Sequence, residues 1–336
     1  MEAHRFWEKD SSLSEKIANH RSRPLLSIII PVFNTAGYID QCLESILDGS
    51  ESNIEIILID DGSTDSSSIK CDQWVLSDSR VRCYHQKNQG VSSARNTGIN
   101  NSQGDYLWFC DSDDCVVSGA TTAICKTLEN CSPDILCFGA IKVDKNDFEI
   151  GVISSPSDNF SASRGPIQCG DELYLFSHVF KRSKIGDIRF DVSLNMCEDR
   201  LFAYRVFDVS SDNILVSGDF YYRYLFTRSD SAVNTLSLAD DIASLSVHEY
   251  ILKKEIELNR PTEAYVIFIQ RSISLLARIV NEGCSCGLFQ DLRKRVLRYD
   301  SLRHCLRGAV LIKYMLLYAS ESIFITSCRV LHLLKR

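Results

Sequence analysis

The sequence predicts an α/β fold with a Rossmann-like, mostly parallel sheet. Two observations carry this: short, apolar, β-branched runs alternate with helical stretches of about 10–15 residues, and the composition, 45% hydrophobic and 24% charged, is that of a globular chain with ample core material. Leu26-Ser-Ile-Ile-Ile-Pro-Val32 is continuously apolar, the pattern of a strand buried on both faces. The period then changes, and Ile39, Cys42, Leu43, Ile46 and Leu47 fall on one helical face. A second strand, Ile54-Glu-Ile-Ile-Leu-Ile59, stops at Asp60-Asp-Gly-Ser-Thr-Asp65. A helical stretch with Ile69 and Trp74 leads to a third strand at 81–84. Residues 90–101 read as a helix with Val91, Ala94, Gly98 and Ile99 inward, and Tyr106-Leu-Trp-Phe-Cys110 is the fourth strand. Another helix closes at Leu128, and a fifth strand covers 135–141.

Residues 154–164 turn to Ser, Pro, Asp and Asn and read as a loop or lid. Beyond it the pattern predicts a helix at 171–179, the short segment Ile188-Arg-Phe190, a helix at 198–207, and strands near Ile214 and Tyr221. From Leu236 the pattern is helical, broken at Pro261, Gly283, Gly287 and Gly308. The expected organisation is a polar leader (1–24), an α/β unit (25–235) with halves at 25–145 and 146–235, and a helical region (236–336).

The longest stretch without a charge, residues 24–39, has 16 residues and contains Pro31, Asn34 and Gly37, too short and polar to span a bilayer. No secretory signal is visible in the leader, so a cytoplasmic location is expected. Fourteen cysteines in 336 residues are far below the density of a disulfide scaffold. No CxxC pair occurs, and Cys284-Ser-Cys286 has no second pair at zinc-ligand spacing. Cys42, Cys83, Cys110, Cys125 and Cys137 lie in apolar runs and read as small buried hydrophobes. Of the net charge of −7, the tail from Leu292 carries +8, with ten Lys/Arg against Asp300 and Glu321, leaving −15 on the rest. An acidic body does not attract nucleic acid, and only the basic end favours anionic surfaces.

In doubly wound sheets, ligands bind outside the carboxyl ends of the strands. Here those ends carry Asn34, then Asp60 and Asp61, then Asp111-Ser112-Asp113-Asp114. Carboxylates at the end of an apolar run are costly unless a cation or strong donors satisfy them. A hard divalent ion held by one or two carboxylates, with phosphates completing its shell, suits that arrangement. A helix N-cap would account for Asp111 to Asp114 too, and Gly62-Ser-Thr-Asp65 is well explained as turn and cap. The leading Asp60-Asp61 is not, and it suits hydrogen bonds to a bound base or ribose.

Four segments, in order, resemble the signatures of family 2 glycosyltransferases: Ser27-Ile-Ile-Ile-Pro-Val-Phe-Asn34, Ile57-Leu-Ile-Asp-Asp-Gly-Ser-Thr-Asp65, Asn88-Gln-Gly-Val-Ser-Ser-Ala-Arg-Asn-Thr-Gly-Ile99 and Gly104-Asp-Tyr-Leu-Trp-Phe-Cys-Asp-Ser-Asp-Asp114. The resemblance covers roughly residues 25–145 and implies the GT-A nucleotide-diphospho-sugar transferase fold with inverting chemistry of the bacterial polysaccharide type. It implies that Pro31, Val32 and Asn34 line the nucleotide pocket, with Asp60 and Asp61 at base and ribose, Arg95 near base or diphosphate, and Ser112 in the donor site. Asp111 and Asp113 match the D-x-D motif, Asp113 as direct ligand of Mn2+ or Mg2+ and Asp111 reaching the ribose or the metal through water. Phe190-Asp191 and Cys197-Glu-Asp-Arg-Leu-Phe202 are similar to the acceptor-side E-D motif, which makes Asp199 the base and Glu198 its support. Tyr221-Tyr-Arg-Tyr224 and Arg228-Ser-Asp-Ser231 look like the segment that closes over the diphosphate, with Arg223 the better candidate. Read without the family, Glu198-Asp199 is a helix-start charge pair and Arg95 a surface salt bridge.

The implied partners are a nucleotide-diphospho-sugar donor, of UDP-hexose or UDP-N-acetylhexosamine type, and a saccharide or lipid-linked acceptor. His85 reads as a structural histidine, and His178 precedes a segment expected near the acceptor. Residues 308–334 are apolar on nearly every side, consistent with a bundle helix, a homo-oligomer contact, or an interfacial anchor that would put the protein on the inner membrane face. Two other classes stay open. A sugar nucleotidyltransferase would need a basic Gly-rich loop after the first strand, which Pro31-Val-Phe-Asn-Thr-Ala-Gly37 does not provide. A non-catalytic GT-A scaffold would bind a partner enzyme through its C-terminal helices.

Overall fold

The structure is a computed structural model, which describes residues 23–49, 53–155, 174–210, 213–226, 237–283, 286–319 and 324–326. Its frame is β1 (Leu26–Val32), β2 (Ile54–Asp60), β3 (Val81–His85) and β4 (Tyr106–Phe109), side by side and parallel in the order β3-β2-β1-β4. The register pairs Val32 with Asp60 and Asp60 with His85, so the carboxyl ends of these strands lie along one edge. Helices α1 (Ile39–Leu47), α2 (Ser67–Ser77), α3 (Val91–Asn101) and α4 (Ala120–Cys131) connect or follow the strands.

The apolar runs explain this layering directly. Side chains alternate across a strand: Ile28, Ile30, Ile56 and Leu58 join the core on the face of α1 and α4, while Ile29, Ile57 and Ile59 join the core on the face of α3. Both cores are closed to solvent, with Ile39, Leu43 and Ile124 on one side and Ala94, Phe202 and Val206 on the other. Gly98 sits where α3 presses on β1. A Cβ there would run into Ile29 Cγ2, so the helix accepts glycine's entropic cost at this contact.

The second half of the sheet departs from the expected parallel order. β6 (Ile135–Val143) does not pair with β4. β8 (His178–Lys181) lies between them, antiparallel to both. The expected helix at 171–179 is thus corrected, within its described part, to a single 3-10 turn, Leu175–Ser177, followed by strand β8. Buried Leu175, Phe176, Val179 and Phe180 fit a short helix as well as a strand, and pairing with two neighbours selects the strand. The separate strands expected near Ile214 and Tyr221 are one strand, β9 (Ile214–Leu225), parallel to β6 with its register shifting around Gly139. β5 (Cys115–Val116) pairs with β9, and β7 (Glu149–Ile153) pairs with β6. The short helix α5 (Arg182–Ile185) follows β8. Ile188-Arg-Phe190 is irregular, and α6 (Glu198–Val209) starts where the sequence indicates.

From Ser237 onward the described chain is helical: α7 (Leu238–Glu257), α8 (Thr262–Asn281), α9 (Cys286–Leu297) and α10 (Gly308–Ala319). Ser237 and Asp240 form a reciprocal capping box at the start of α7. These helices share a core that includes Leu252, Tyr265, Phe268, Leu276 and Val296, and Leu201 and Tyr204 of α6 belong to it. α6 therefore packs with one face on the sheet and another on the helical region. In α10, Tyr314 and Leu317 are buried, while Ile312, Met315 and Tyr318 stand exposed. No described helix is long and apolar enough to cross a membrane.

Candidate active site

The strand ends are tied together by their own side chains. Asn34 takes a left-handed φ of 53°, a conformation that Asn tolerates, and its Oδ1 accepts hydrogen bonds from Thr64 N (2.8 Å) and Asp65 N (3.3 Å). Thr35 N donates to Ser67 Oγ at 2.9 Å, and Thr35 Oγ1 donates to Ser112 Oγ at 2.9 Å. The loops after β1, β2 and β4 are thereby locked to one another, with Val32 buried and Pro31 part-buried beneath them.

Asp60 and Asp61 are both buried. Asp60 accepts from Ser63 N at 3.0 Å and from His85 Nδ1 at 2.9 Å. Burial alone would raise its pKa, but the hydrogen bonds from Ser63 and His85 bring it below the ordinary value. Asp61 accepts from Gln89 N (2.9 Å), Gly90 N (2.8 Å) and Gln86 Nε2 (2.7 Å), and so holds the loop that starts α3 at its positive end. The loop needs Gly62, whose φ is 75° and whose hypothetical Cβ would lie 2.8 Å from Asn88 N.

The decisive arrangement is around Arg95, in α3. Its guanidinium is buried and forked: Nη2 donates to Asp111 Oδ1 at 3.1 Å and Nη1 to Glu198 Oε1 at 3.0 Å. The guanidinium carbon lies 5.5 Å from the centroid of the Phe190 ring, which stacks on Phe202 at 4.0 Å. Burial opposes the Arg95 charge, but Asp111, Glu198 and Asp199 outweigh it and push its pKa up. Arg95 is thus no surface salt bridge. It sits beneath the D-x-D strand end, pinning Asp111 to the start of α6, and its Nε is buried without an acceptor.

The chain enters α6 through Cys197, a non-glycine residue at φ 64°, and Glu198 and Asp199 follow at once. Glu198 is buried and Asp199 part-buried. Burial, then the charge of Glu198, push the Asp199 carboxyl up to about 6, with Arg95 and the Arg200 backbone pulling the other way. Arg200 N donates to Asp199 Oδ1 at 2.7 Å.

Asp114, one of the strand-end carboxylates, and Tyr222, to which the sequence assigns no role, complete the strand end. Asp111 N donates to Tyr222 Oη (2.9 Å), and Tyr222 Oη donates to Asp114 Oδ2 (2.8 Å). Leu225 N donates to Asp114 Oδ1 at 2.7 Å. Asp114 is therefore the anchor of the D-x-D loop to β9. Burial, then the neighbouring charges of Asp113 and Asp111, push its pKa well above the carboxylate range. Asp111 and Asp113 are part-buried, with the Asp111 side chain 37% exposed. Oxygen donors that crowd negative charge at a half-open strand end suit a hard divalent cation.

Other expected residues lie apart from this cluster. Arg223 does not face Asp111. It pairs with Asp147 (2.8 Å) and Glu149 (3.4 Å) on the β6–β7 hairpin. Arg228 lies outside the described residues, as do most of residues 154–164. His178 is buried in the sheet, its Nδ1 hydrogen-bonded to Tyr174 O at 2.7 Å. Cys83 is part-buried, unlike Cys42, Cys110, Cys125 and Cys137, which are buried.

Known proteins resemble this chain in sequence and in fold. Residues 27–192 match the model of glycosyl transferase family 2. Glycosyltransferase GlyG of Streptococcus pneumoniae is 38% identical over 124 residues, 37% of this chain and 41% of that protein. The uncharacterized glycosyltransferase EpsJ of Bacillus subtilis is 30% identical over 210 residues, 60% of this chain and 61% of that protein. The chain thus covers less than two-thirds of either relative. The crystal structure of S. aureus TarS 1–349 in complex with UDP-GlcNAc superposes with a TM-score of 0.68, over 90% of this chain and 89% of that one, at 18% identity. That likeness is one of fold, and the fold is GT-A with a helical C-terminal region. Over residues 27–192, about half of its length, the chain belongs to glycosyl transferase family 2.

Proposed function

We propose that the protein is an inverting, metal-dependent glycosyltransferase. In this reading it moves a hexose or N-acetylhexosamine from a UDP-sugar to a saccharide or lipid-linked acceptor of a surface polysaccharide. The observation that carries the reading is the Arg95 fork, because one guanidinium joins Asp111 of the D-x-D loop to Glu198 of the acceptor-side motif. The UDP-GlcNAc in the TarS crystal structure supports a UDP-sugar as donor.

In this reading Asp199 Oδ takes the proton of the acceptor hydroxyl as its oxygen bonds to the anomeric carbon. The bond from that carbon to the diphosphate oxygen breaks on the opposite face, and UDP departs. Asp113 and Asp111 would hold Mn2+ or Mg2+, which supplies positive charge to the departing diphosphate. Asp60 and Asp61 hold the loops that border the nucleotide, together with Pro31, Val32, Asn34 and Ser112. Arg223 is the candidate to swing from Asp147 to the diphosphate. Ile312, Met315 and Tyr318, exposed near Arg303, Arg307 and Lys313, support peripheral contact with an anionic membrane surface.

The pH profile tests the assignment of the base. A carboxylate must be ionised to accept a proton, so kcat/KM for UDP-sugar transfer falls as pH drops through about 6. Glu198→Gln removes the neighbouring charge that raises Asp199 and frees the Arg95 charge that lowers it. Both effects move the acid limb to lower pH. A rate that stays flat through pH about 6, or an acid limb unmoved in Glu198→Gln, removes Asp199 from the role.

A further inference from the structure

We propose that Asp72, Cys83 and His85 form a site for a thiophilic divalent cation, zinc by its chemistry, distinct from the oxygen site at Asp111 and Asp113. Asp72 comes from α2, while Cys83 and His85 stand two apart on β3 and so project from one face of the strand. One ligand atom from each lies within 4.8 Å of the other two. His85 Nε2 is 3.1 Å from Asp72 Oδ1 and 3.7 Å from Cys83 Sγ. A tetrahedral zinc, with bonds of about 2.0 Å to nitrogen, about 2.1 Å to oxygen and about 2.3 Å to sulfur, sets N···S near ~3.6 Å and N···O near ~3.4 Å. Both His85 distances are within a few tenths of an ångström of those values, and Asp72 and Cys83 lie within 4.8 Å of each other.

The imidazole is already oriented for this. Its Nδ1 is held by the buried carboxylate of Asp60 at 2.9 Å, with Ser68 Oγ at 3.3 Å, which leaves Nε2 directed at Asp72 and Cys83. A carboxylate on the far nitrogen is the usual way to fix the tautomer of a metal-binding histidine. The thiol is in reach as well: part-buried Cys83 places its Sγ 3.7 Å from Nε2. The groups around the imidazole are therefore Asp60, Asp72, Cys83 and Ser68, with Cys71 behind Cys83.

An imidazolium clamped between Asp60 and Asp72, with its pKa raised to about 9, accounts for the two carboxylates. Beyond those carboxylates, Cys83 Sγ lies 3.7 Å from the same ring nitrogen, so three different donor types converge on one point. The mixed sulfur, nitrogen and oxygen set selects Zn2+ or Co2+ over Mg2+ or Mn2+. Water supplies the fourth position. Cysteine spacing gave no hint of this site, because its ligands come from a helix and a strand rather than from a CxxC turn. Through Asp60 the cation would brace the loop after β2 that borders the nucleotide.

Co2+ titration of the reduced full-length protein tests the site. Wild type should gain a thiolate-to-cobalt charge-transfer band that saturates at one equivalent, is displaced by Zn2+ and is unaffected by Mg2+ or Mn2+. Cys83→Ser and His85→Gln should remove the band, and Cys131→Ser should keep it. Asp72→Asn alters a side chain that is 65% exposed, so folding is not at risk, and it should weaken Co2+ binding by at least about tenfold. The absence of a band in reduced wild type overturns the proposal. So does a band that survives both Cys83→Ser and His85→Gln, or unchanged affinity in Asp72→Asn.

Discussion

Asp199→Asn lowers glycosyl transfer by about 10²–10⁴-fold while leaving UDP-sugar affinity within about twofold of wild type. Asparagine has the shape of aspartate and keeps an oxygen for the Arg200 N–H, so α6 still starts in the same way. It has no basic oxygen to accept the acceptor's proton, which is the step assigned to Asp199. Donor affinity is set at the other strand ends and should not register the change. Single-turnover transfer and calorimetric titration with the UDP-sugar in the absence of acceptor, run on the same preparation, separate the two quantities. Transfer within tenfold of wild type would place the base elsewhere.

Arg95→Met destabilises the protein by about 3 kcal/mol, the low end for breaking a buried ion pair, because Asp111 is 37% exposed and water screens part of the loss. Glu198, with 11% of its side chain exposed, bears most of the penalty as an unpaired buried carboxylate. Pairing the change with Glu198→Gln removes that orphaned charge. The double variant is therefore more stable than the sum of the single changes by about 0.5–3 kcal/mol. Urea unfolding of the four proteins measures the cycle. Arg95→Lys retains the charge but not the fork, so it recovers part of the stability and little of the transfer. A single-variant cost below about 0.5 kcal/mol would mean that the fork does not hold the site together.

What was legible in the sequence follows from how local each signal is. β1, β2 and β4 are continuous apolar runs whose alternate residues feed two cores, and such runs declare themselves without knowledge of their neighbours. β8 did not, because its apolar residues fit a helical turn until pairing with β4 and β6 decides. Asp60, Asp61 and Asp111 could be found as strand-end carboxylates, but the partners that hold them could not. Tyr222 binds Asp111 and Asp114 from more than 100 residues away, and the pairing of β9 with β5 and β6 brings it there. Alternation in Tyr221-Tyr-Arg-Tyr224 offered a faint signal, since Tyr222 is the member of that run turned fully into the core. Arg95 looked like a helix-surface residue, and its burial depends on Glu198, 103 positions further along the chain. Asp72, Cys83 and His85 were invisible as a group for the same reason.

The central claim is that the D-x-D carboxylates bind a divalent cation together with a UDP-sugar. The most direct measurement is the melting temperature with UDP-GlcNAc, with and without Mn2+, for wild type and Asp113→Ala. A ligand that binds only the folded state raises the melting temperature, by an amount set by its concentration relative to Kd. Wild type should be stabilised by the sugar nucleotide only when Mn2+ is present, and Asp113→Ala should show no Mn2+-dependent gain. Equal stabilisation of both proteins, or stabilisation of wild type that ignores Mn2+, would contradict the account.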